Sequence, residues 1–239
     1  MTQEFDESQE FYRDFFSDER DIYYSNRERY DTVFDIIKNR TADNRKQALD
    51  IGAGRGTITE YLVDKYDRVR ALDIVPNESI NSVRKKNKSI DFTLGKLPHL
   101  PFKSDKFDMV VCSEVLEHVK KENQESSIEE LSRVVSSSGV VILSTPNPRS
   151  IHEITRPSRE GQHRENWVHP TKLYSWACQY FGSVERAGSY YIPAPITYLA
   201  SRVPGVSRLR YVSEQMRKKD LLNGWGLYQY YILHPKENK

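Results

Sequence analysis

Two groups of residues carry chemistry by type and spacing. The first is Glu114, Glu117 and His118, within Ser113-Glu-Val-Leu-Glu-His-Val119. On a helical turn their i, i+3, i+4 spacing puts two carboxylates and an imidazole on one face. Such a face can hold a hard or borderline divalent cation. The alternative is that His118 caps a helix or orients a ligand. The second group is Asp50 and Asp73, which bracket glycines at 52, 54 and 56. Their spacing is not G-x-G-x-x-G, and Asp50 inside the turn would repel a pyrophosphate. It suits a ligand with a cationic end, an ammonium or a sulfonium. Asp73 closes the apolar run 69–72, where a ribose-binding carboxylate emerges from the next parallel strand.

The elements that must position these residues follow from the apolar pattern. Ala48, Leu49 and Ile51 form a short strand that stops at the glycines, and 57–66 reads as the helix after them. Residues 107–112 are nearly continuous apolar sequence, as expected of a central parallel strand covered on both faces. The 113–119 stretch begins where that strand ends, at the sheet edge where open α/β proteins bind ligands. Helices are expected at 27–39, 77–88, 129–135 and 171–181, and strands at 90–94, 139–144, 184–192 and 228–233. Alternating strands and helices of this kind predict an α/β fold with helices on both faces of a sheet. Between Pro146 and Pro170 the connection exceeds the usual length and carries His152, His163 and His169, which favours a functional role.

Residues 46–145 resemble the core of the class I S-adenosylmethionine-dependent methyltransferases. The matching pieces are Leu49-Asp-Ile-Gly-Ala-Gly-Arg-Gly56, Ala71-Leu-Asp73, Leu100-Pro-Phe102, Phe107-Asp-Met-Val-Val111 and Ser144-Thr-Pro-Asn147. The resemblance implies a Rossmann-like, seven-stranded, mostly parallel sheet whose last two strands run antiparallel to the rest. It implies S-adenosylmethionine as cofactor, held by Asp50, Gly52, Ala53, Gly54, Gly56, Asp73, Ile74, Leu97, Ser113 and Glu114. Many relatives hold the adenine amine with an acidic residue after the third strand. Here that place reads Gly95-Lys96-Leu97, so adenine recognition falls to Asp91, backbone amides or Leu97.

The Glu114/Glu117/His118 motif is similar to one in ubiquinone-biosynthetic O-methyltransferases and in small-RNA 2′-O-methyltransferases. Both are associated with a bound cation, which here implies a Mg or Zn site of Glu114, Glu117, His118 and His163. His163 is preferred because it precedes an aromatic residue, Trp167, after the Thr-Pro-Asn strand end. Gln162 and Arg164 depart from the RNA enzymes, and Trp167-Val-His-Pro170 only approximates the Phe-x-Thr-Pro segment of the quinone enzymes. For a hydroxyl acceptor, His118, His163 or His169 would act as base, or a cation would generate the alkoxide.

A chain of 239 residues can bury a full core. With 36 basic against 34 acidic residues, formally +2, it has no strong electrostatic reason to bind nucleic acid or an anionic membrane. The basic run Arg84, Lys85, Lys86 and Lys88 lies on a crossover helix and reads as a solvated face. Cys112 and Cys178 sit in apolar surroundings without metal spacing and read as buried thiols. The first residues lack a basic and an apolar region, and no run reaches membrane-spanning length. The expectation is a soluble, cytoplasmic chain.

The division expected is a single domain. It comprises an N-terminal helical cap (1–39), the cofactor core (46–145), an active-site loop (146–169) and an insertion (193–226). The insertion mixes Ile196, Tyr198, Leu199 and Val203 with Arg202, Arg208 and Arg210. It suits a lid over an acceptor pocket, a homodimer contact or a surface-lying membrane segment. Its apolar character, with the aromatic N-terminal piece, points to O-methylation of a small or lipid-like molecule. An RNA 2′-O-methyltransferase and an inactive cofactor-binding partner subunit are the alternatives.

Overall fold

The computed structural model describes residues 27–40, 45–76, 78–150, 166–188 and 228–237. The cap before residue 27 and the 193–226 insertion lie outside these residues, as does most of the 146–169 loop.

In chain order the elements are α1 (Arg27–Arg40), β1 (Gln47–Ile51), α2 (Thr57–Val63), β2 (Arg68–Asp73), α3 (Glu78–Lys86) and β3 (Ile90–Leu94), followed by β4 (Phe107–Ser113), a 3-10 turn (Leu116–His118), α4 (Lys121–Val134), β5 (Val135–Pro146), α5 (Pro170–Tyr180), β6 (Ser183–Gly188) and β7 (Tyr228–His234). The seven strands form one sheet in the order β3-β2-β1-β4-β5-β7-β6. The chain winds outward from β1 through β2 to β3, then returns to place β4 beside β1. That reversal opens a crevice at the C-terminal ends of β1 and β4.

The two faces of the sheet are apolar for different helices. In register across the strands, Leu72, Ile51, Cys112, Leu143 and Tyr231 form one row. All are buried in the cluster that α4 and α5 complete with Ile128, Leu131 and Trp176. The other face, including Val69, Ala48, Met109, Val111 and Ile142, packs against α1 and α2 through Val33, Ile37, Ile58 and Leu62. In α1, Tyr30, Val33, Phe34 and Ile37 recur at helical spacing, and Lys38 and Arg40 in the last turn suit the helix dipole.

Two expectations need correction. Only β7 is reversed: it pairs antiparallel with both β5 and β6, so the edge strand β6 runs parallel to the rest. A strand of opposite direction beside a parallel neighbour on each side satisfies the same ladder, and apolar pattern does not encode it. Cys112 is buried, whereas Cys178 is exposed on α5.

Candidate functional site

The glycine turn leaves β1 with three left-handed residues, Gly52 at φ 71°, Gly54 at 52° and Gly56 at 88°. Only glycine adopts this at low cost. Gly52 has a second reason. A Cβ there would stand 2.4 Å from Val115 Cγ2, so the turn after β4 lies directly against it. The amides of Gly52 and Ala53 donate to the Leu72 carbonyl at 2.8 and 3.0 Å, tying the turn to the end of β2.

Asp50 is buried beneath this turn and accepts a 2.6 Å hydrogen bond from the Thr59 hydroxyl of α2. Burial pushes its carboxyl up to about 7, Thr59 partly opposing and Asp73 adding to the rise. Asp73, also buried, accepts from the amides of Gly54 (2.8 Å) and Ile74 (2.7 Å) and, at 3.4 Å, from Val75. Burial raises it as well, against those three donors. A carboxylate offers about four acceptor positions, so Asp73 keeps capacity for a further donor. Asp50 and Asp73 therefore flank the glycine turn, as expected.

Beyond β3 the chain is held close to Asp73, because the Gly95 amide donates to the Asp73 carbonyl at 3.0 Å. Leu97 is buried in the main core, and Lys96 is exposed. Asp91 is not at this edge: it pairs with Arg70 at 3.1 Å, in register three residues before the end of β3.

After β4, Ser113 and Ser144 share a 2.9 Å hydroxyl contact, and Ser144 Oγ lies 3.0 Å from Glu114 Oε1. Glu114 has φ 59°, an uncommon conformation for a side chain of its size. Glu117 is buried and accepts from Thr145 at 3.0 Å. The Glu114 and Glu117 carboxyl groups are close enough to act on each other's ionisation. Burial first, with Arg29 and Ser144 opposing, moves Glu114 up to about 7, and burial beside Glu114 raises Glu117 further.

The α-helical turn expected here does not form. With only a 3-10 turn at Leu116–His118, Glu117 turns inward while His118 is exposed. Among the described residues no three His, Cys, Asp or Glu side chains come together to hold a metal ion. His163 and His152 lie outside the described residues. His169 is the N-cap of α5, its Nδ1 accepting from the Thr171 amide at 3.3 Å ahead of Pro170 at the first helical position.

Three further residues belong to this edge. Arg29, in the first turn of α1, is largely buried with its guanidinium 4.0 Å from Glu114 Oε2. Gln124, buried on α4, donates to the carbonyls of Leu116, Val119 and Asn166 at 3.2, 3.2 and 2.6 Å. Gln229 donates to the carbonyls of Pro146 (3.0 Å) and Val168 (2.7 Å), holding the two ends of the long loop together. Nothing in residue type or spacing marks these three. They become visible only once the strands are laid side by side.

Residues 49–143 match a family described as a methyltransferase domain. Over most of its length the fold also superposes on solved methyltransferases. In the complex between the Haloferax volcanii Trm112 methyltransferase activator and a putative methyltransferase, the TM-score is 0.66 at 18% identity, covering 94% of this chain and 98% of that one. Residues 49–143 thus resemble a methyltransferase domain, and the chain shares the fold of the solved methyltransferases.

The match over residues 49–143 supports S-adenosylmethionine binding. A DhpI–SAM–HEP complex shares the fold with a TM-score of 0.60 at 17% identity, covering 95% of each chain. Among curated proteins, the mitochondrial ubiquinone biosynthesis O-methyltransferase of Schizosaccharomyces pombe is 31% identical over 131 residues, 52% of this chain and 46% of that protein. An uncharacterized methyltransferase of Staphylococcus carnosus is 31% identical over 103 residues, 43% of this chain and 47% of that protein. The chain thus spans about half the length of the curated relatives it matches. No described helix is long and apolar enough to cross a membrane.

Proposed function

We propose that this chain transfers the methyl group of S-adenosylmethionine to a hydroxyl of a small or lipid-like acceptor. The observation that carries the reading is the pair of buried carboxylates, Asp50 and Asp73, on either side of a three-glycine turn at the β1–β4 crevice. The donor set fits the cofactor group by group. Asp73 has acceptor capacity for ribose hydroxyls. Asp50, raised by burial, regains its charge most readily beside a cation. Arg29 is a guanidinium at the same edge for the methionine carboxylate. Leu97 would flank the base, and Ser113 and Glu114 the methionine side.

When bound, S-adenosylmethionine supplies a methyl group already activated on a sulfonium. The chain's own residues must align the acceptor oxygen, exclude water and take one proton. Of the described histidines we assign this proton to His118, whose exposure at the end of the 3-10 turn supports the choice. His169 has one ring nitrogen committed to its cap, and His163 remains a candidate outside the described residues. No step is assigned to a divalent cation. The cap, the 146–169 loop and the insertion would complete the acceptor side of a single domain, the insertion also being the place for a homodimer contact.

Purified protein, radiolabelled cofactor and a panel of quinone-like, sterol, sugar and fatty-acyl hydroxyl acceptors test this reading. Turnover confined to RNA or protein substrates would refute it. A second reading, in which the chain works with a partner subunit, takes its support from the likeness to a methyltransferase solved with its activator. Cofactor binding without turnover, together with a stable hetero-complex on gel filtration, is its signature.

A further inference from the structure

Alternation along β1 turns Leu49 and Ile51 toward α4 and α5, and Ala48 and Asp50 toward α1 and α2. Asp50 lies in register between Ala71 of β2 and Val111 of β4, with α2 above it. The N-cap of α2 is Gly56, which has no side chain to accept from the first turn. Asp50 takes that place from the strand. Its carboxyl accepts from the Thr59 hydroxyl at 2.6 Å and from the Thr59 amide, the third amide of the helix and the one an N-cap side chain ordinarily takes.

Thr59 is itself fully buried. The groups that face Asp50 from the neighbouring strands do not favour its charge. Asp73, at the end of β2, adds to the rise that burial imposes on Asp50. Cys112, on β4, is a thiol pushed well up by burial first and then by the surrounding acids, Asp50 among them. Thr59 works in the other direction, since both of its donors stabilise the carboxylate.

We propose that Thr59 is a positioning residue of the cofactor site, its hydroxyl holding the Asp50 carboxyl in the charged form that pairs with the ammonium group of the cofactor. The inference rests on the cofactor reading above and extends the site from the glycine turn into the helix behind it.

Such a role leaves a mark in pH that packing does not. Affinity follows the fraction of Asp50 ionised before the ligand arrives, and removing the Thr59 hydroxyl raises the pH at which Asp50 ionises. Below that pH the variant binds more weakly than wild type. Above it both start charged, and the gap closes. A lost packing contact costs the same at every pH.

Titration calorimetry with S-adenosylhomocysteine at pH 6, 7, 8 and 9 compares wild type, Thr59→Val and Thr59→Ser, and the ligand's own titration cancels in the ratio. Thr59→Val keeps the shape and loses the hydroxyl. It is expected to bind about tenfold more weakly at pH 6 and 7 and within about threefold of wild type at pH 9. Thr59→Ser keeps the hydroxyl and should stay within about threefold throughout. If denaturant melts show that Thr59→Val does not fold, Thr59→Ala removes the same donor and is held to the same ratios.

A Thr59→Val deficit equal at every pH assigns Thr59 to packing alone and overturns the inference. So does wild-type affinity in Thr59→Val at every pH, or a Thr59→Ser protein as weak as Thr59→Val. In each of these cases the wild-type protein still binds, and the cofactor reading stands. Folded wild-type protein that binds no S-adenosylhomocysteine at any pH overturns both.

Discussion

Replacing Asp50 by Asn should make the protein more stable at pH 8 and worse at holding its cofactor. Asp50 is buried, held by hydrogen bonds from Thr59 and with no cation among the causes of its shift. Its carboxyl therefore rises from 3.8 to about 7. In the unfolded chain it ionises near the ordinary value, so between pH 4 and pH 7 the folded state binds more protons than the unfolded one. Stability from this group is then fully present at acid pH and lost as pH rises through 7. The rise corresponds to roughly 4 kcal/mol at about 1.4 kcal/mol per pH unit. About 3 kcal/mol of it falls between pH 5 and pH 8. An asparagine keeps an oxygen for Thr59 and carries no charge to bury. Urea melts of wild type and Asp50→Asn at both pH values should show the variant's relative advantage growing by about that amount toward pH 8. Calorimetry with S-adenosylhomocysteine should show binding weaker by about tenfold to a hundredfold, the range for a lost interaction with a charged group. Stability differences that do not change between pH 5 and pH 8 would refute the electrostatic argument. Unchanged affinity would refute the role given to the carboxylate in holding the cofactor.

Gly52→Ala meets both a φ of 71° and Val115 at 2.4 Å, so it should cost about 1–3 kcal/mol in denaturant melts and abolish measurable cofactor binding by calorimetry. Asp73→Asn keeps one oxygen and so puts a donor against either the Gly54 amide, which uses Oδ2, or the Ile74 amide, which uses Oδ1; at least about tenfold weaker S-adenosylhomocysteine binding is expected, and unchanged binding would remove Asp73 from the site. Gln229→Leu strands the carbonyls of Pro146 and Val168 that its amide reaches. It should destabilise by about 2–4 kcal/mol in chemical melts, with cofactor affinity less affected than in Asp73→Asn.

What the sequence made legible is what local chemistry dictates. A glycine at φ 71° or 88° is a backbone requirement written in one residue, and a carboxylate at each strand end is written in the next. The central strand was plain because both its faces are apolar. α4 shows the opposite. Only its second half follows an apolar rhythm, yet it starts at Lys121, because its first turns bury Gln124 and Ser127 rather than aliphatic side chains. Gln124 satisfies three carbonyls there, a job that leaves no hydrophobic signature. The 113–119 stretch suggests a helical face, but Glu114 turns left-handed and the helix does not start until Lys121. The reversal of β7 depends on its neighbours, and Arg29 on the approach of α1 to β4. Neither is a property of a local window.

The antiparallel seat of β7 also sets how this fold tolerates change. Gly188 on β6 stands opposite Gln229 on β7, so the chain departs from one strand and rejoins the next within about 5 Å. The register of β6 and β7 asks only that these two ends meet, and the entropy of closing a loop grows only slowly with its length. A connection between two such neighbouring strand ends can be lengthened, shortened or exchanged without disturbing the register of β6 and β7 or the strands beyond them.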